Sequence, residues 1–92
     1  MLYAIHCLDK PDSVDLRLAN REAHVAHLKA HLDHLVSAGP LLSEDGQTMI
    51  GSLVIVDFAD RAALDAFVGN DPYAKAGLFQ TVSVRPWKKV LP

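Results

Sequence analysis

Residues 50 to 58 read Ile-Gly-Ser-Leu-Val-Ile-Val-Asp-Phe, and how this stretch is placed decides the fold. Apolar and largely β-branched side chains fill positions 53 to 56 without a polar break, the pattern of a strand covered on both faces of its sheet. Such a strand needs helices on one side and a second cover on the other.

Reading outward toward the amino terminus, residues 40 to 48 hold a short edge strand and a turn at Glu44-Asp45-Gly46. Before them Gly39-Pro40 stops a helical pattern, glycine suiting the left-handed C′ position and proline being unable to continue. The helical pattern runs back to Val14, but Asn20 followed by Arg21-Glu22 resembles an N-cap with an acid in the first turn. The sequence therefore predicts a short turn of helix and then a main helix from about 21 to 37. Residues 2 to 8, Leu-Tyr-Ala-Ile-His-Cys-Leu, form a first strand halted by Asp9-Lys10-Pro11-Asp12-Ser13.

On the carboxyl side, Asp60 caps a second helix over Arg61 to Val68, ended by Gly69-Asn70. Asp71-Pro72 opens a one-turn helix that Gly77 closes. Residues 78 to 85 alternate as a last strand, and Pro86-Trp87-Lys88-Lys89 continues as an edge or tail. The order βαββαβ predicts an α+β, ferredoxin-like fold: a four-stranded antiparallel sheet with its helices on one face. The other face is left bare, so the expected cover for strand 50–56 is a second copy, two sheets meeting face to face in a homodimer.

The 92 residues suffice for one domain, spanning 1–92. Half of them are hydrophobic and the formal net charge is −2, so there is no basic field to attract nucleic acid. The longest apolar run, Ile50 to Val56, is broken by Gly51-Ser52 and falls far short of the ~20 residues of a bilayer span. His6, Asp9 and Lys10 come too early for a signal peptide, and the expected location is the cytoplasm. Cys7 is the single cysteine, which excludes an internal disulfide and any multi-cysteine metal site.

Several polar residues fall where chemistry can use them. On the main helix Val25, Leu28, Leu32, Leu35 and Val36 make the buried stripe, and Arg21 falls within it. A guanidinium there either reaches past the helix end to solvent or meets an anion in a cavity. His24 borders the stripe; it is either a structural histidine or an acid/base group facing the sheet. His27, His31 and His34 extend a histidine edge. Such spacing can hold a divalent metal, but no acidic or thiol cluster completes a site, and a solvated polar face is the preferred reading, so no metal is assigned. Asp71-Pro72-Tyr73 is a common helix opening, yet its carboxylate, held by backbone N–H groups, is also suited to orient a histidine. Gly51 allows a close approach to the sheet while Ser52 donates a hydrogen bond. No phosphate loop, nucleophile elbow or paired-cysteine motif is present, and no cofactor is assigned.

Leu2-Tyr3-Ala4-Ile5, Arg21-x-x-His24, Leu28, Ala38-Gly39-Pro40, Gly51-Ser52, Asp71-Pro72-Tyr73, Ala76-Gly77 and Pro86-Trp87-Lys88-Lys89-Val90 together resemble the YciI-like (YCII-related domain) family over nearly the whole chain. The resemblance implies a dimeric α+β barrel and a catalytic histidine and aspartate, which match His24 and Asp71. It also implies chemistry akin to dehydrochlorination of hydroxylated aromatic rings. The connection Leu41 to Met49 is more compact than in many bacterial relatives, where a longer loop can line the pocket. The expected activity is cofactor-independent elimination, dehydrochlorination or isomerisation of a small cyclic or aromatic acid. His24 is its general acid/base, Asp71 orients that ring, and Arg21, Ser52 and Tyr73 bind substrate. The alternative is a non-catalytic dimer module that binds a small metabolite or serves as an accessory domain.

Overall fold

A computed structural model describes residues 1–92. Its elements are strand β1 (Leu2–Asp9), helix α1 (Val14–Lys29), strands β2 (Leu35–Leu42) and β3 (Met49–Asp57), helices α2 (Arg61–Gly69) and α3 (Pro72–Lys75), and strand β4 (Phe79–Trp87). The four strands form one antiparallel sheet in the order β2-β3-β1-β4. This is the ferredoxin-like α+β arrangement read from the sequence.

Alternation along β1 sets the two faces of the sheet. Tyr3, Ile5 and Cys7 are buried beneath the helices, and Val54 and Val56 of β3 join them. Phe58, Leu64 and Phe67 complete that core from the α2 side. Leu8, Leu53 and Trp87, on the opposite face, remain about two-fifths exposed. The isolated chain exposes 5854 Å², above the ~5,200 Å² that area scaling gives for a compact monomer of this mass. No helix is long and apolar enough to cross a membrane.

The largest difference from the sequence reading lies between residues 14 and 42. One unbroken helix runs from Val14 to Lys29, and Asn20 sits inside it, its amide donating to the Leu16 carbonyl at 3.0 Å rather than capping a second helix. The helix ends eight residues before the expected point. His31, His34 and Leu35 then donate backbone bonds three residues back, to Leu28, His31 and Leu32, turning the chain into β2. Gly39 and Pro40 do not terminate a helix; they pair with Leu53 and Ser52 of β3. The physical reason is tertiary. Leu32, Leu35 and Val36 fit a helical stripe, but β3 requires a neighbour on its open edge, and an edge strand tolerates the missing N–H of Pro40.

Smaller differences follow the same logic. β4 continues through Pro86 and Trp87, which pair with Tyr3 and Leu2, so they are strand rather than tail. Gly51 makes room for protein: a Cβ there would run into the backbone carbonyl of Cys7 on β1, so close strand approach, not access for a ligand, explains the glycine. The expected helix starts at Asp60 and Asp71 are present, with each carboxylate accepting from the N–H two residues on, Ala62 at 3.0 Å and Tyr73 at 2.9 Å. Gly77 closes α3 with a positive φ of 73°.

Candidate active site

Arg17, Arg21, His24 and Leu28 recur at steps of four, three and four, so they share the face of α1 that lies over the sheet. A helix in that position ordinarily buries leucine and valine. Here the buried side chains of α1 are Arg17 and His24. A buried cation persists only when its N–H groups are answered. Arg17 grips the carboxylate of Asp9 at the end of β1 through two bonds, Nε to Oδ2 at 2.7 Å and Nη2 to Oδ1 at 2.9 Å. Nη2 also donates to Ser52 Oγ on β3 at 2.9 Å, and the guanidinium carbon stands 4.5 Å from the centre of the Tyr73 ring. Burial alone would lower the Arg17 pKa, but the hydrogen bonds and charge of Asp9 outweigh it and hold the group above its ordinary value.

His24 is the second buried polar group. Its Nδ1 lies 2.8 Å from Asp71 Oδ1, the same oxygen that caps α3. With Asp71 ionised, Nδ1–H is the donor and the tautomer leaves Nε2 with its lone pair free. Tyr73 lies against the imidazole with ring centroids 3.9 Å apart and planes 15° from parallel. Burial raises the Tyr73 pKa, while the charges of Arg17 and Arg21 draw it down. Beneath the site the Cys7 thiol is pushed up to about 12, first by burial and then by the negative charge of Asp71.

These groups surround a cavity of about 140 Å³ between α1 and the sheet. Arg17, Arg21, His24, Val25 and Leu28 line it from the helix, Ala38 to Pro40 from β2, Met49, Ser52 and Val54 from β3, and Tyr73 from α3. A cavity of roughly 150 Å³ accommodates a benzene ring, so this one matches a single six-membered ring with few substituents. His24 Nε2 makes no hydrogen bond within the chain, yet no buried side-chain nitrogen or oxygen is left without a partner, so Nε2 reaches the cavity space. Asp71 stands behind His24 rather than on the cavity wall. Arg21 is exposed at the rim and takes part in none of the ion pairs of the chain. The charge of Arg17 is matched by Asp9, so Arg21 is the unmatched cation of the site.

All five residues expected to act on or bind a ligand thus lie at or directly behind one cavity, although Tyr73 packs chiefly against His24 and Arg17. The other histidines are engaged elsewhere. His27 Nε2 bonds to the Phe67 carbonyl at 2.9 Å, His31 Nδ1 to the His27 carbonyl at 2.9 Å, and His34 Nδ1 to the Asp57 carbonyl at 2.8 Å. His27 and His31 also pack on Phe67, and His34 stacks on Phe58. No group of three His, Cys, Asp or Glu side chains is placed to hold a metal ion. The sequence reading missed Arg17 and Asp9, having begun the main helix at 21 and read Asp9 as part of a turn. The signal was present: Arg17 lies four residues before Arg21 and seven before His24, on the same helical face.

Fold and site together define a class: a ferredoxin-like α+β protein with a histidine–carboxylate pair facing a small cavity on the helix-covered side of its sheet. The chain belongs to the YCII-related domain family, whose model matches residues 1–88. Protein YciI of Escherichia coli O6:H1 is 41% identical over 97 aligned residues, covering 98% of this chain and 99% of that protein. A protein from Haemophilus influenzae is 37% identical with the same coverage. Among solved structures, the 5-chloro-2-hydroxyhydroquinone dehydrochlorinase TftG from Burkholderia phenoliruptrix AC1100, in complex with 2,5-dihydroxybenzoquinone, superimposes with a TM-score of 0.88 at 36% identity, covering 96% of this chain and 94% of that one. A dimeric ferredoxin-like protein from Jannaschia sp. CCS1 shares the fold at a TM-score of 0.54 and 19% identity, covering 94% and 98%.

Proposed function

We propose that this protein is a small cofactor-independent enzyme that performs acid/base chemistry, an elimination such as dehydrochlorination or an isomerisation, on one hydroxylated six-membered ring. The observation that carries the reading is His24: Nδ1 is fixed by Asp71 at 2.8 Å while Nε2 is free at the wall of a ring-sized cavity. The similarity to TftG supports a substrate of this class.

In the elimination, a hydroxyl proton first shifts to the chlorine-bearing carbon, giving the keto tautomer with a tetrahedral C–Cl centre. Nε2 then takes a proton from a remaining ring hydroxyl, whose electron pair forms the new C=O and ring C=C bonds as the carbon–chlorine bond breaks with its electron pair on chloride. The net loss is HCl, and no oxidant or reductant is required. Asp71 stabilises the imidazolium that forms, and Ser52 and Arg21 stabilise negative charge building on ring oxygens. Tyr73 keeps the imidazole plane in place by stacking.

Chloride release from 5-chloro-2-hydroxyhydroquinone tests the proposal. His24→Ala is expected to lower turnover by about 10²–10⁴-fold, the range of a general acid/base group. A His24→Ala protein that retains full turnover overturns the reading, as does a wild-type protein that binds ring acids without converting any. For assembly, we propose a homodimer formed by the sheet faces that carry Leu8, Leu53 and Trp87, the exposed apolar surface opposite the helices.

A further inference from the structure

Arg17 is the only fully buried cation of the chain, and the reaction proposed above gives it no task. Its bonds determine what Ser52 is able to do. A guanidinium has five donors and no acceptor, so the 2.9 Å contact from Nη2 to Oγ obliges the serine oxygen to accept. The Ser52 hydroxyl proton then has to point elsewhere. It finds no acceptor in the chain, and Ser52, only 2% exposed, lines the cavity. The two bonds to Asp9 fix the guanidinium plane, and the Tyr73 ring packs on the guanidinium carbon. Nε and Nη2 are thereby committed to Asp9 and Ser52, and Nη1 is the one guanidinium nitrogen with no hydrogen bond within the chain.

We propose that the Asp9–Arg17 pair is a positioning device that makes Ser52 an obligate hydrogen-bond donor into the cavity, so that the site favours rings presenting an accepting oxygen at Ser52, a ring oxyanion or a carbonyl most strongly. This deepens the functional reading above and rests on the cavity being the ligand site. It separates two roles that would otherwise be assigned to one class of residue. Arg21 attracts negative charge at the rim, whereas Nη2 of Arg17 acts on the ligand through Ser52. The consequence is directional: an oxygen that must donate its own proton at that point meets a donor and is rejected, because two facing donors leave one buried group unpaired.

The test is a double-mutant cycle read by titration calorimetry with 2,5-dihydroxybenzoquinone, whose ring oxygens accept, with folding checked by circular dichroism. Ser52→Ala is expected to weaken binding about tenfold, the worth of one well-made bond to a charged or strongly accepting oxygen. Arg17→Lys keeps a cation beside Asp9 but cannot fork to both partners, and is expected to lose a similar factor. The decisive quantity is the double variant. If Arg17 acts through Ser52, the pair loses no more than Ser52→Ala alone; fully additive losses overturn the inference. Where Arg17→Lys does not fold, a crystal structure of the wild-type complex decides. Ser52 Oγ within hydrogen-bond distance of both Arg17 and a ligand oxygen supports the inference, and Arg17 released from Ser52 and bound to the ligand overturns it. Wild-type protein that binds no probe removes the functional reading and this inference together. Binding that Ser52→Ala leaves unchanged removes the inference alone.

Discussion

Tyr73 lies face to face with His24, ring centroids 3.9 Å apart, and the residue two before it, Asp71, holds the other side of the same imidazole at Nδ1. Both contacts come from the four-residue helix α3 and its N-cap Asp71, so its capping geometry and the orientation of the histidine are one construction. Tyr73→Phe retains the stack and is expected to keep turnover within a few-fold. Tyr73→Leu removes it and is expected to lower kcat by at least tenfold with little change in KM. Steady-state kinetics of the two variants checks this, and equal losses in both would assign the effect to the hydroxyl instead.

Asp71→Asn keeps an oxygen for the Tyr73 N–H, so the cap survives and stability is expected to fall by less than about 1 kcal/mol. The amide cannot stabilise an imidazolium, and its NH₂ competes for the wrong histidine tautomer. Turnover is therefore expected to fall by at least a hundredfold while thermal unfolding barely moves. A large drop in Tm with unchanged kcat would make Asp71 a cap and nothing more.

Arg17→Leu strands the Asp9 carboxylate, whose side chain is 5% exposed, without its partner. Breaking a buried pair in this way costs about 3–5 kcal/mol, a large part of the stability of a chain with so thin a core. Urea unfolding is expected to show that loss. Asp9→Leu/Arg17→Leu together is expected to recover part of it.

Alkaline pH provides an independent check on the floor of the site. The folded-state pKa of Cys7, about 12, lies above its ordinary 9.0, so the folded chain keeps a proton that the unfolded chain releases. That contribution to stability is complete below about pH 9 and is lost as pH rises toward 12. Tyr73, whose pKa is also raised by burial, adds a loss of the same sign at high pH. Unfolding free energy is expected to decline across this range, more gently in Cys7→Ala. A Cys7→Ala protein with an unaltered slope would contradict the placement of the thiol.

Light scattering is expected to give a particle of about twice the 10.0 kDa chain mass, and Leu53→Glu, which puts a charge on the bare sheet face, is expected to halve it. A monomer at micromolar concentration would count against the paired sheets.

The topology was legible because strand and cap signals at 2–8, 50–58, Asp60 and Asp71 are local: alternation, β-branching and an aspartate before a helix each act within a few residues. Residues 30 to 42 were not, because the spacing of Leu32, Leu35 and Val36 satisfies a helix as well as a strand and only the open edge of β3 decides between them. The same error hid the buried Asp9–Arg17 pair. With the helix begun at 21, Arg17 fell outside it, and Asp9 looked like a turn residue although alternation from Tyr3, Ile5 and Cys7 puts it on the helix-covered face. That His24 and Asp71 meet across 47 positions depends on α3 docking beside α1, a relation that no local pattern carries.

The rim position of Arg21 bears on how such a pocket diversifies. Its side chain is not tied to Asp9, Ser52, His24 or Asp71, so exchanging it disturbs neither the His24–Asp71 contact nor the bonds of Arg17 to Asp9 and Ser52. If the proposed function holds, replacing Arg21 is expected to alter which anionic ring is preferred while the buried contacts of the site stay in place.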